Sequence, residues 1–355
     1  MAIDHQMRPN QAAITIVIIG IILLVILLAR GESRSSPQQP STDNPEAQDA
    51  ALDSSKYSHP LTIASLRAGS YPGSDLTTER TLENGRGYKR YITSYISEGL
   101  KIYALLTVPT GAKPENGWPV IVFNHGFIPP KEYRTTERYV AYVEGFAKNG
   151  YIVFRPDYRG HDQSEGEATG GYGSNAYTID VLNATASIKK YAKANPEKIG
   201  MWGHSMGGHI TLRTMVVTKD VKAGVIWAGV VASYPDLFSR WRRTSISPRA
   251  GIPTGARRWR QELLETYGAP TQNPTFWNSI SANSFLADIS GPIQLHHGTA
   301  DHSVPPEFSE GLDKQLRSAG KQSELFVYPG DDHNLTGSFS EAMQRSVTFF
   351  DTYLK

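Results

Sequence analysis

Cysteine is absent from the 355 residues, which excludes disulfides, thiolate metal sites and lipoprotein-type acylation. No charge sign dominates either. Lys and Arg number 36 against 34 Asp and Glu, a net +2, so nothing global points to a nucleic-acid partner. Clustered metal ligands are also missing: His296 and His297 are adjacent, a spacing that does not set both on one face, and they lack companions in sequence. No metal and no cofactor is expected.

Long apolar runs are scarce, with one exception. Residues 12–29 carry no charge and are bracketed by Arg8 and Arg30. As a helix they reach about 27 Å, close to the roughly 30 Å of a bilayer core. A cleaved signal usually has a shorter apolar region and ends in a small-x-small site, and Leu27 and Arg30 spoil such a site. Residues 1–30 are therefore expected to be an uncleaved amino-terminal membrane anchor, with a signal peptide as the alternative. Arg8 and the amino terminus nearly balance Arg30 and Arg34 across it, and the folded domain is expected on the extracytoplasmic side. Residues 31–56, mostly Ser, Pro, Gln, Asp and Asn, bury too little to fold and read as a tether.

From residue 57 onward the pattern changes. Residues 91–96 and 100–108 read as an antiparallel pair around the turn residues 97–99. Short apolar runs then follow at 120–123, 151–154, 199–202, 225–228, 293–295 and 325–328, with helical patterns at 137–148, 178–194, 205–217, 306–318 and 339–354. Continuous rather than alternating apolar strands imply burial on both faces, as in a mostly parallel sheet flanked by helices. Right-handed crossovers align the carboxyl ends of such strands along one edge, where functional groups collect.

The stretch Gly203-His204-Ser205-Met206-Gly207-Gly208 lies between the run at 199–202 and a helical pattern. This is the strand, turn and helix context of a Gly-x-Ser-x-Gly nucleophile elbow, in which small residues avoid collisions around a strained serine. The helix start behind Ser205 offers free N–H groups to a developing oxyanion. Other strand ends are followed by Asn124-His125-Gly126-Phe127, by His297-Gly298-Thr299-Ala300-Asp301 and by Asp331-Asp332-His333. Acyl transfer needs a nucleophile, a base and a carboxylate that orients the base, and Ser205, Asp301, His333 follow the chain order of the α/β-hydrolase fold. Asp236 is the alternative acid, while Asp332 reads as a loop residue. Asp157, Arg159 and His161 read as holding their loop together.

The segments 297–305 and 326–333, with Asp157-Tyr158-Arg159-Gly160-His161 and the elbow, resemble the catalytic domain of the prolyl oligopeptidase family of serine peptidases. The likeness runs from about residue 101 to the end, and its specific part is the joint order of the motifs. It implies an α/β-hydrolase domain over 57–355, a mostly parallel sheet with helices on both faces and a small helical cap insertion at about 234–285. It implies Ser205 as nucleophile, His333 as general base and then acid, and Asp301 as the carboxylate. The oxyanion donors would be the backbone N–H groups of Met206 and Phe127, although the family often has a second glycine where Phe127 stands. Members with strict gating carry a large β-propeller before this domain, and about 45 residues before the first strands leave no room for one. The site is expected to be open.

His125 and His204 flank the elbow region; each reads first as structural, and as the alternative they are candidates for substrate contact. So are Arg242 and Arg243, in a segment 239–260 rich in arginine, since guanidinium makes bidentate contacts with carboxylate or phosphate. The competing reading is a solvated cap face with Trp241 and Trp259 packed inward, and docking on anionic lipid is a third. The expected function is hydrolysis of amide or ester bonds in a peptide or small-molecule substrate through an acyl-serine, a peptidase first and a carboxylesterase second. A non-catalytic membrane-tethered binding module is the alternative of another class. A dehalogenase-type enzyme would want Asp at position 205.

Overall fold

The structure is a computed structural model that describes residues 59–241 and 255–355. After a short helix α1 (Ile63–Ala68), three strands follow in succession, β1 (Thr77–Gly85), β2 (Tyr88–Ser97) and β3 (Leu100–Pro109). They pair antiparallel. The β2–β3 turn consists of Glu98 and Gly99, both at positive φ (50° and 81°), the conformation that lets a two-residue hairpin follow the strand twist.

Strands then alternate with helices: β4 (Trp118–Asn124), α2 (Val140–Ala147), β5 (Ile152–Pro156), α3 (Ala176–Lys189), β6 (Ala194–His204), α4 (Met206–Val217) and β7 (Val221–Trp227). Between β7 and β8 (Ile293–Gly298) lie α5 (Tyr234–Ser239), α6 (Gly255–Tyr267), α7 (Pro274–Ile280) and a 3-10 helix (Ala282–Asp288). The chain finishes with α8 (Glu307–Ser318), β9 (Ser323–Tyr328) and α9 (Phe339–Leu354). The sheet order is β1-β2-β3-β5-β4-β6-β7-β8-β9, parallel from β5 to β9.

The apolar runs are buried on both faces, and alternate side chains enter different cores. Val120, Val122, Ile152, Phe154, Ile199 and Met201 pack with α3, α4 and α8. Their neighbours Ile121, Phe123, Val153 and Trp202 pack on the opposite face with α2 and α9. Neither set can slip by one residue without exchanging cores. The register therefore fixes which loops meet at the carboxyl edge.

Some boundaries differ from the sequence expectation. The helix expected from residue 137 starts at Val140, because Arg138 and Tyr139 both adopt positive φ (54° and 51°). The helix expected over 178–194 ends at Lys189, and residue 194 already belongs to β6. Strand β1 and helix α1 have no counterpart in the sequence expectation. The expected anchor and tether lie outside the described residues, as do Arg242 and Arg243. Among the described residues no helix is long and apolar enough to cross a membrane.

Candidate active site

The elbow is built by close approach. A Cβ on Gly207 would lie 2.0 Å from the Asn124 carbonyl oxygen, and one on Gly203 would lie 2.4 Å from that of Gly207. Only glycine lets β4, β6 and α4 come this near. Ser205 sits between them at φ 55°, ψ −118°, a strained conformation of the kind that persists where surrounding contacts over-determine it. Those contacts are visible. Its N–H donates to the Trp227 carbonyl (3.1 Å), and its carbonyl accepts from Gly208 and Val230 N–H (3.0 Å each).

His333 and Asp301 reach the site from the loops after β9 and β8. These loops are zipped together: Ala300 N–H donates to the Asp331 carbonyl (2.9 Å), and Gly330 N–H to Thr299 Oγ1 (2.7 Å). A Cβ on Gly298 would come within 2.3 Å of that same Asp331 carbonyl. His333 Nδ1–H donates to Asp301 Oδ2 at 2.7 Å. With Nδ1 protonated, Nε2 of a neutral His333 is left as the proton acceptor. The Ser205 hydroxyl bonds to no described residue, and catalytic hydrogen bonds of this kind often tighten only around substrate.

Asp301 is buried yet held ionised. Burial pushes its pKa up, but hydrogen bonds from His297 and His333 and from backbone N–H groups outweigh burial and hold it well below the usual carboxylate range. The carboxylate accepts four bonds, from His333 Nδ1, from His297 Nε2 (3.1 Å) and from Ser303 and Val304 N–H (2.7 and 3.0 Å). Sequence reasoning missed this role of His297. Its Nε2–H also faces the Val304 carbonyl (3.0 Å), which leaves Nδ1 to accept from Ser309 Oγ (2.7 Å). The available signal is its place four residues before the acid at a strand end. His296 points into the opposite core, between Tyr328 and Gln294.

Met206 opens α4, where the first N–H groups have no carbonyl one turn earlier. Phe127 follows Gly126, whose hypothetical Cβ would lie 3.2 Å from Ser205 Cβ. The loop after β4 therefore runs directly past the serine. Among the described residues no acceptor meets the Phe127 N–H.

The flanking histidines take the framework places read first for them, and neither has a free ring nitrogen to offer a substrate. His125 is fully buried and stacked between Tyr133 and Tyr158 (ring centroids 4.6 and 4.3 Å), with Nδ1 placed to donate to the Gly126 carbonyl (2.7 Å) and Nε2 facing that of Asp157 (3.3 Å). His204 is 3 % exposed and has both nitrogens occupied, Nδ1 by Tyr139 OH (2.7 Å) and Nε2 by the His333 carbonyl (2.9 Å). Burial, then the neighbouring His333, lowers its pKa to about 3. Tyr139 has no sequence signal at all, since it stands 65 positions from His204 among 18 tyrosines.

Asp236 is ruled out as the acid by position: it lies in the first turn of α5, bonded to Ser233 Oγ and paired with Arg240. Asp332 is a loop residue, accepting from Asn334 and Thr336 N–H. Asp157 is locked by Tyr133 and Thr135, and Arg159 by Asp180. In the segment between β7 and β8, Trp241 is buried and donates from Nε1 to the Ser303 carbonyl, beside the acid loop. Trp259 packs against Tyr234 and Phe238.

An α/β sheet with a strained serine at the turn into a helix, and an aspartate-bound histidine at the same edge, places the chain among the serine hydrolases of the α/β-hydrolase class. Comparison with known proteins narrows this. Residues 138–355 match the prolyl oligopeptidase family, and the chain belongs to that family. It is 26% identical over 267 residues to the uncharacterised peptidase YuxL of Bacillus subtilis (strain 168), covering 72% of this chain and 38% of that protein. It is 23% identical over 263 residues to the uncharacterised peptidase YtmA of the same strain, covering 73% of this chain and 91% of the relative. The acylaminoacyl peptidase of Pyrococcus horikoshii superposes with a TM-score of 0.59 at 22% identity, over 76% of this chain and 42% of the other, and shows the shared fold. The chain thus spans well under half of YuxL and of this solved structure.

Proposed function

We propose that the chain is a serine peptidase whose nucleophile is Ser205, with His333 as base and Asp301 as its orienting carboxylate. Ser205 Oγ attacks the substrate carbonyl while its proton passes to His333 Nε2. The tetrahedral oxyanion lies against the N–H groups of Met206 and Phe127, each of which is worth about 3 kcal/mol in the barrier. His333 then gives that proton to the leaving amine or alcohol as the carbonyl–leaving-group bond breaks, leaving an acyl-serine. Water adds in the second half, losing its proton to His333, and the acid is released as Ser205 is reprotonated. The observation that carries this reading is the 2.7 Å bond from His333 Nδ1 to the buried Asp301 carboxylate, which fixes the tautomer that a base requires.

Family membership and the relatives' names favour amide over ester substrates. The two differ in how well the leaving group is positioned and protonated. A kinetic panel of short acyl esters, aminoacyl amides and peptides tests this: appreciable turnover of amides and peptides is expected, and ester hydrolysis alone would make the protein a carboxylesterase.

The proposal includes a membrane tether. The uncharged run at 12–29 and the polar stretch at 31–56 support an amino-terminal anchor with the hydrolase domain on the extracytoplasmic side. Cell fractionation with external protease checks it. Release of the protein in the soluble fraction would contradict the anchor, and protection of the domain from external protease would contradict the topology. Contact of Arg242 and Arg243 with an anionic substrate group belongs to the same proposal; unchanged selectivity between neutral and anionic substrates in R242A and R243A would remove it.

A further inference from the structure

Three loops of the site are tied by one hydrogen-bond chain that the reaction itself does not use. Gly126 N–H donates to Tyr139 OH (2.9 Å), Tyr139 OH donates to His204 Nδ1 (2.7 Å), and His204 Nε2–H donates to the His333 carbonyl (2.9 Å). The direction of each proton is forced. A carbonyl can only accept, so His204 carries its hydrogen on Nε2; Nδ1 must then accept, and the tyrosine hydrogen goes to it, leaving the phenolic oxygen for Gly126. The chain joins the loop beside the oxyanion position, the residue before the nucleophile and the backbone of the base.

Its placement carries local cost. Tyr139 and Arg138 both stand at positive φ, an uncommon conformation for bulky residues, and buried Arg155 donates from Nη1 to the Arg138 carbonyl (2.9 Å). The Tyr139 ring is wedged edge-on against Phe123 and Trp202. The His204 ring lies 4.6 Å from that of His333. The histidine is thus neither a substrate contact nor a spectator.

We infer that His204, oriented by Tyr139, is a positioning residue that sets the His333 backbone relative to Ser205 and couples it to the oxyanion loop. The inference rests on Ser205 and His333 being nucleophile and base. A misplacement of about 1 Å at a reacting group can cost about 100-fold in rate, so the effect should fall on kcat.

The test compares two replacements. His204→Gln keeps a donor near the Nε2 position and so keeps the bond to the His333 carbonyl, whereas His204→Asn reaches only the Nδ1 position and can meet only Tyr139. Expected for H204N is a fall in kcat of about 100-fold with KM nearly unchanged, and for H204Q recovery of most of that loss. Tyr139→Phe removes only the central hydroxyl and should lower kcat by about tenfold; it decides the matter if a His204 variant does not fold, as read by thermal unfolding. Overturning results are equal kcat in folded H204N and H204Q, a loss confined to KM, or a Y139F enzyme with unchanged kcat. Fluorophosphonate labelling of the wild type is run alongside. Absence of label at Ser205 there refutes the nucleophile assignment itself, a different outcome from a labelled wild type with indifferent variants.

Discussion

Asp301→Asn is the substitution whose consequence follows most directly from the geometry. The carboxylate accepts four bonds, two from histidines on Oδ2 and two from backbone N–H groups on Oδ1. An amide has one oxygen. If that oxygen keeps Ser303 and Val304, the NH2 group faces His333 Nδ1–H and His297 Nε2–H, donor against donor. The clash is relieved when His333 moves its proton to Nε2, and the nitrogen that must take the Ser205 proton is then occupied. Flipping the amide restores His333 but turns NH2 toward two backbone donors that cannot move theirs. A wrong-tautomer base costs about 10⁴-fold in kcat, or about 5.4 kcal/mol of barrier. The assay is kcat on an acyl substrate near pH 7, with thermal unfolding to show that the variant is folded. A folded D301N enzyme within about tenfold of wild type would refute the assignment of Asp301 as the orienting group.

Asp157 gives a pH prediction. Burial pushes its pKa up to about 7, with Thr135, Tyr133 and Arg155 opposing. The folded state thus holds a proton that the unfolded chain releases near pH 4, so this group's stabilising contribution is full below pH 4 and is lost as pH rises through 7. Denaturant unfolding should show Asp157→Asn lacking that decline, worth about 4 kcal/mol at most; parallel pH profiles for wild type and variant would contradict it. Gly126→Ala brings a Cβ to 2.7 Å from Tyr139 OH and 3.2 Å from Ser205 Cβ. It should lower kcat by about 100-fold through displacement of the oxyanion loop, and unaltered kinetics would show that this loop does not serve the reaction.

The parallel core of the fold was legible because its strands are continuous apolar runs, and the register that buries Val120 and Val122 on one face and Ile121 and Phe123 on the other leaves no second arrangement. Strand β1 was hidden for the opposite reason: at the sheet edge, with Thr77 to Asn84 nearly all exposed, it carries no apolar pattern. The elbow was readable because close backbone approach demands glycine, and the proposed triad of Ser205, Asp301 and His333 was suggested by residue types in the order that acyl transfer on this fold uses. What could not be read was how neighbouring side chains share the site. His125 and His204 read as structural from their places beside the oxyanion loop and the elbow, but the stacking and hydrogen bonds that make them framework could not be read. His297 and Tyr139 act through contacts that only folding creates.

In the proposed mechanism the hydroxyl of Ser205 is made nucleophilic by the His333–Asp301 pair. Reaction of the purified protein with a fluorophosphonate, followed by peptide mass analysis, addresses it without assuming any substrate. One adduct is expected, on Ser205, forming readily in the wild type and at least about 100-fold more slowly in His333→Ala, a barrier difference of roughly 3 kcal/mol or more. An unlabelled wild type, an adduct on another residue, or equal labelling rates in the two proteins would contradict it.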